Sequence, residues 1–469
     1  MRRIAPLAPL AALGLVALAA PTPVFAHGLV GRLESPLPLT VYLAGAAAAV
    51  ALSFAFVMLR DVRAAARPPG PVRTVPRPVA FALRAVGLGA WLWIVAQAVV
   101  GGTSPAAVAP LFLWVYGWVG VALVSAFVGP AWAWLDPFAT LFDIGSAVLR
   151  RLGIRGWRPA DYPAALAAWP AVIGLAFFVW LELVARNVSL VVVLLAYTLI
   201  TLACMAHYGR DTWRERGETF SVWFGLLGRL APIVLEGRPE ERTIRRRPFA
   251  GGLLDAQWTL PLVVLAAVGT GSIIFDGLSQ TEPWFRVFGL PSLPLATVHL
   301  FAFFGLVAAL VISVARFVGL AAVGAGVLPI TVGYLVAHYF TFLLGDGQAI
   351  VIALSDPLQL GWDLFGAAFF EPSIDWLPPV LLWTVMLAAV VGGRRRARPR
   401  RVGRPRGRRR GRAVAAGADP LRSMAAGGSH GHPHDRHALV TWPGNRAGAG
   451  DGRDRRDRTS FAVAGRVTR

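Results

Sequence analysis

The sequence predicts an all-α, polytopic transmembrane helix bundle, with about nine spans behind a cleavable signal peptide. Three observations predict it. Of the 469 residues, 56% are hydrophobic and only 15% are charged, whereas soluble domains carry about 25% charge. Apolar runs near the ~20 residues that cross a bilayer core recur along the chain. The basic residues fall on alternate connections between those runs, as the positive-inside rule requires.

The first element is the leader. Met1-Arg2-Arg3 is a short basic head, Pro6 to Ala20 is mostly apolar, and Pro21-Thr22-Pro23-Val24-Phe25-Ala26 ends with small residues at the −3 and −1 positions. This pattern is that of a secretory signal peptide, residues 1–26, cleaved after Ala26; the alternative is an uncleaved signal anchor. Either way, His27 onward lies outside the cytoplasm. After cleavage His27 is the mature N-terminal residue, and its α-amine and imidazole could together chelate a metal ion.

The bundle occupies 27–392. Its apolar runs are 39–59, 80–100, 108–128, 163–184, 190–208, 257–277, 293–313, 322–344 and 376–392, the last being the shortest. Pro170 and Pro329 fall within two of them and predict kinks. With the mature N-terminus outside, the inner connections before the tail hold 20 Arg, against Arg32, Arg186 and Arg286 outside. The inner segments include two further elements. Asp136-Pro137 opens a short helix near the surface, and 219–235 reads as an interfacial helix, both packed under the bundle. The connection between the eighth and ninth runs, from Gly345 to Asp375, is too apolar for a free linker and reads as a lid or re-entrant segment.

Residues 393–469 form an Arg-rich, disordered tail. From 394 on it holds 21 Arg against 5 Asp, so most of the net charge of +21 belongs to the tail. That placement removes the usual reading of a strongly basic chain: nucleic acid is not an expected functional partner, whereas membrane lipid is. All 46 basic residues are Arg. The single cysteine, Cys204, excludes an intramolecular disulfide framework.

The outer half carries the chemistry-bearing residues. Glu34, Glu182, Asp276, Glu282, Asp346, Asp356, Asp363, Glu371 and Asp375 lie there. His299 and His338 each lie about six residues inside the outer end of a span, roughly 9 Å deep at ~1.5 Å per residue. Glu182 and Asp276 end two other spans at that face. Imidazole and carboxylate form the ligand set of zinc, copper or iron. The candidate metal ligands are therefore His27, His299, His338 and Asp276, and the candidate catalytic carboxylates are Asp276 and Glu182. The plainer alternative is that each histidine is hydrogen-bonded to a neighbouring helix and that Asp276-Gly277 and Asp356-Pro357 are turn formers.

Ala26-His27-Gly28-Leu29-Val30-Gly31-Arg32, Asp136-Pro137-Phe138 with Thr140-Leu141-Phe142-Asp143, Phe275-Asp276-Gly277-Leu278-Ser279, Ala337-His338-Tyr339-Phe340, and Ser355-Asp356-Pro357-Leu358 with Gly361-Trp362-Asp363 resemble a group of bacterial multi-pass membrane proteins. Some of these are described as fenitrothion hydrolases, which cleave organophosphate triesters. The resemblance spans roughly residues 26–390 and implies a small-molecule ester substrate and a place in the bacterial plasma membrane; it carries over no catalytic residue. It stops after Val391, where Gly392-Gly393-Arg394-Arg395-Arg396 begins a composition typical of out-of-frame GC-rich DNA. The hypothesis of a lost reading frame there is tested by sequencing the locus. On that hypothesis the tail cluster His430, His432, His434 and His437 is accidental. Three functions follow as expectations: a metal-dependent hydrolase, a copper or zinc handling or transport protein, and a non-catalytic assembly protein. The sequence leaves the oligomeric state open.

Overall fold

A computed structural model describes residues 72–385, apart from 101–107, 155–157, 186–187, 237–242, 254–256, 359, 379–380 and 382–383. The signal peptide, His27, the 39–59 run, most of the 376–392 run and the tail lie outside the described residues.

The described chain is mostly helical. After a short strand β1 (Arg73–Thr74) come α1 (Arg77–Val100) and α2, whose successive turns are Val108–Pro110, Leu111–Gly120 and Val121–Phe127. Next are α3 (Ala131–Leu135), α4 (Pro137–Arg151), α5 (Trp169–Leu183), α6 (Leu190–Tyr208), α7 (Arg210–Arg216) and α8 (Thr219–Leu227). Strands β2 (Ile233–Glu236) and β3 (Thr243–Arg246) follow, then α9 (Leu260–Ser279), α10 (Glu282–Phe288), α11 (Leu293–Val318), α12 (Leu320–Leu344) and α13 (Ile350–Ser355).

Among the described residues, five helical runs are long and apolar enough to cross a membrane: α1, α6, α9, α11 and the run that starts with α12. The pair Leu111–Phe127 and Ala131–Arg151, bent by 118°, makes a sixth if counted as one span. Each apolar run from 80–100 to 322–344 coincides with a helix, but two differ from expectation. The 163–184 run yields only the 15 residues of α5, because Ala167 turns at positive φ and Tyr162 Oη donates to Ala167 O. Pro170 therefore lies in the first helical turn, where it has no helical N–H to lose, and starts the helix instead of kinking it. In α2, the stretch Leu111–Gly120 is π-helical; its wider turn directs Trp114, Val115, Trp118 and Val119 into the core together.

Helix α9 is the hub. It is buried along most of its length and packs on α5, α11 and α12. Small residues make this close approach feasible: the indole of Trp223 on α8 lies where a side chain at Gly269 would be, and Thr270 Oγ1 meets Thr331 Oγ1 of α12 at 2.6 Å. By contrast, α11 presents Leu306, Leu310 and Phe317 outward, an apolar face suited to a bilayer.

The all-α expectation needs one correction. Strands β1, β3 and β2 form a small antiparallel sheet, with Arg73 opposite Ile244 and Ile233 opposite Arg246. The single helix expected over 219–235 stops at Leu227. Pro232 cannot donate to a helical ladder, and the β-branched Ile233-Val234 that follows favours extended backbone. Nor does α8 lie under the bundle: Trp223, Phe224 and Leu227 are buried, and Thr219 and Trp223 meet Gly174 and Gly269 near the middles of α5 and α9.

Gly269→Val should cost about 1–3 kcal/mol by overpacking against Trp223, measured as a lower melting temperature in detergent. Gly89→Ala, where a Cβ meets nothing within 4 Å, should leave melting unchanged. Equal effects of the two would contradict the close α8–α9 approach.

Candidate functional site

At the end of the bundle where α9 and α12 finish, the structure brings two of the expected site residues into contact. Asp276, three residues before the end of α9, is only 2% exposed. Its Oδ2 lies 2.7 Å from Nε2 of His338 on α12. Its Oδ1 accepts from Gln280 Nε2 at 2.8 Å. Gln280 follows one helical turn later, the spacing at which helix side chains meet. When ionised, a carboxylate only accepts, and Nε2 of His338 is then the donor of this contact. The His338 side chain is 25% exposed, and its ring lies over Gly277. Glu182, also buried, ends α5 at this face.

His299 lies six residues into α11 and has different partners. Its ring packs against Trp284 and Phe288, with centroids 5.7 and 4.6 Å away. Nδ1 is buried, with no hydrogen-bond partner among the described residues. The ring borders a cavity of about 490 Å³ whose wall also includes Leu183, Phe275, Gln280, Trp284 and Phe285. Among the described residues, no three His, Cys, Asp or Glu side chains converge on a point that could hold a metal ion. His299, His338 and Asp276 therefore do not form the ligand set expected of them, and His27 lies outside the described residues.

Two of the carboxylates expected on the outer side organise the Gly345–Asp375 connection. Asp363 Oδ1 accepts from Ser355 Oγ and from the Ala367 and Ala368 N–H groups. Asp356 accepts from the Leu360 and Gly361 N–H groups. Gln348 Nε2 donates to Ser373 O at 2.8 Å, and Tyr116 Oη donates to Gly347 O at 2.7 Å. The segment is thus a self-bonded loop anchored on the bundle, and the turn-forming reading of Asp356 holds.

The opposite end carries a polar network that the candidate residues missed. Asp136 caps α4 through the Ala139 N–H and pairs with Arg214 Nε at 2.5 Å. Asp143, two turns further along α4, bridges Arg84 and Arg210. Glu218, buried, caps α8 through the Phe220 and Ser221 N–H groups; it also accepts from Tyr197 Oη and, at 3.3 Å, from Trp132 Nε1. The seven-residue spacing of Asp136 and Asp143, which places both on one helix face, was the available signal. Gln280 had none, because an uncharged residue at a span end reads as solvated.

Fold and site together define a helical membrane protein with a buried carboxylate–imidazole pair near one end of its bundle. Comparison with protein-family models, curated proteins and solved structures finds no match to the chain.

Burial, and after it the nearby Asp136, raises the Glu218 carboxyl above its ordinary value of 4.5. Folding then favours the protonated form, so this contribution to stability is complete below pH 4.5 and is lost as pH rises through the raised value. Glu218→Gln keeps an oxygen for the two N–H groups. It should flatten the fall of melting temperature with pH above 4.5; an unchanged slope would contradict the assignment.

Proposed function

We propose that the protein is a membrane-embedded hydrolase of lipophilic esters, of organophosphate type by the resemblance, in which His338 is the general base and Asp276 orients it. The observation that carries this reading is the 2.7 Å contact between a carboxylate 2% exposed and an imidazole 25% exposed. A buried carboxylate fixes tautomer and ring orientation, leaving Nδ1 to act on water. Water attacks the carbonyl carbon or the phosphorus, its proton passes to His338 Nδ1, and the leaving oxygen departs with the electron pair of the broken ester bond. The proton then returns from the imidazolium to that oxygen. Gln280 holds the second oxygen of Asp276 and so keeps the carboxylate from rotating away.

The topology belongs to the same proposal: nine spans in a bacterial plasma membrane, the mature N-terminus and the Asp276 end outside, the tail in the cytoplasm. The distribution of Arg, 20 on the inner connections against 3 outside, supports this orientation. An imidazole whose other nitrogen donates to a carboxylate is also the usual geometry of a metal ligand. The described residues do not complete a ligand set around His338, so no step is routed through a metal. A second reading has its own observation. The Asp276–His338 and Thr270–Thr331 contacts both join α9 to α12, as a purely structural lock would.

Turnover of 4-nitrophenyl acetate and diethyl 4-nitrophenyl phosphate in lipid nanodiscs separates the two. His338→Gln and Asp276→Asn should each lower kcat by about 10²–10⁴-fold, the usual worth of a positioned general base, while helical content is retained. Full turnover in both variants with lowered melting temperatures would leave only the lock. Absence of turnover by the wild-type protein on either ester would overturn the hydrolase reading.

A further inference from the structure

Three cavities share walls in a way that relates the Asp276 end of the bundle to its interior. The first, about 100 Å³, lies between α1, α2, α5 and α6 and is lined by Trp114, Phe177 and Phe178 among others. The second, about 200 Å³, lies along the π-helical turn at Tyr116 and Gly117 and shares Trp91, Leu113, Phe178 and Phe220 with the first. The third is the 490 Å³ cavity bordered by His299; it shares Ala185 and Val188 with the first.

Their chemistry differs. The first two are walled almost wholly by aromatic and aliphatic side chains. The third adds Ser279, Gln280 and His299 to its wall, and His299 Nδ1 is a buried nitrogen without a partner among the described residues. Along α5 the first cavity runs from Gly174 to Leu181, ~10 Å at 1.5 Å per residue, and continues to Ala185 at the junction. The apolar chambers, about 100 and 200 Å³, offer little room beyond a single hydrocarbon chain.

We infer that the three cavities form one binding site for a single-chain amphiphile, its polar head between His299 and Gln280 and its chain in the aromatic chambers. Lipid tails are as apolar as the protein interior, so moving a chain from bilayer to cavity gains little hydrophobic energy. A chain seated against the aromatic walls gains dispersion contacts, and the polar side chains on the wall of the third cavity, Ser279, Gln280 and His299, supply selectivity for the head. The inference adds a substrate class to the proposed function and relies on that reading only in placing an ester head beside Gln280, which holds Asp276. Binding is measured without turnover, so the two can fail separately.

The test uses the full chain in nanodiscs, photolabelled with dodecanoic acid carrying a terminal diazirine and mapped by peptide mass spectrometry. Adducts should fall on Trp114, Phe177 and Phe178 and be displaced by unlabelled dodecanoic acid. Val193→Trp, which fills the first chamber, should cut them by about tenfold, a 1.4 kcal/mol loss of affinity. Ile173→Trp, on a more exposed part of the same wall, provides the same block where Val193→Trp fails to fold. His299→Ala should weaken competition by dodecanoic acid and by dodecanol, whose heads both offer hydrogen-bonding oxygens, and leave competition by dodecane unchanged. Adducts confined to Leu306, Leu310 and Phe317, insensitive to competitor and to both tryptophan variants, would overturn the site. Labelling as expected together with absent ester turnover would retain the site and remove the hydrolase.

Discussion

A carboxylate 2% exposed within an apolar bundle must be met by donors, and Asp276 imposes that demand on the helices around it. An ion left unmatched at such a position costs far more than packing can offset. The structure answers with Gln280 from the same helix and His338 from α12, which fixes the rotation of α12 against α9. The rest of the hub follows from that alignment. Thr270 and Thr331 meet further along the same pair of helices, and Gly269 admits Trp223 of α8. Between the ends of the bundle, Gly269 and the Thr270–Thr331 hydroxyl contact join α9 to its neighbours; the buried Glu218 is matched by Tyr197 and Trp132, as expected where polar groups must find partners away from water.

The same alignment gives the Asp276 end its chemical character. Gln280 borders the His299 cavity while bonding to the carboxylate that orients His338. Trp114 and Trp118 of the π-helical stretch of α2 are buried, and Gly117 lines one of the aromatic chambers. A wide turn of this kind is rare in helices and recurs at functional positions.

Much of the fold was legible because hydropathy reports helices that bilayers accept. The 190–208 run matches α6 residue for residue, and Asp136-Pro137 announced a capped helix start that the Ala139 N–H contact realises. What could not be read was rotation about each helix axis. His299 and His338 were expected at equal depth on one site; yet one faces Trp284 and Phe288 and the other faces Asp276, because neighbours, not sequence position, decide facing. The small sheet was invisible because strands of two and four residues leave no periodic signal. Asp356 and Asp363 looked like part of an acidic outer face, but their oxygens bind the loop's own backbone and Ser355. Such local bonds depend on a fold that composition cannot foresee.

The most direct measurement is a double-mutant cycle between Asp276→Asn and His338→Gln, read in both ester turnover and unfolding free energy. If the two side chains act as one unit, the double variant is no worse than the poorer single variant, with a coupling energy of about 0.5–3 kcal/mol. Losses that simply add would show two independent residues and contradict the pairing on which the proposed chemistry depends.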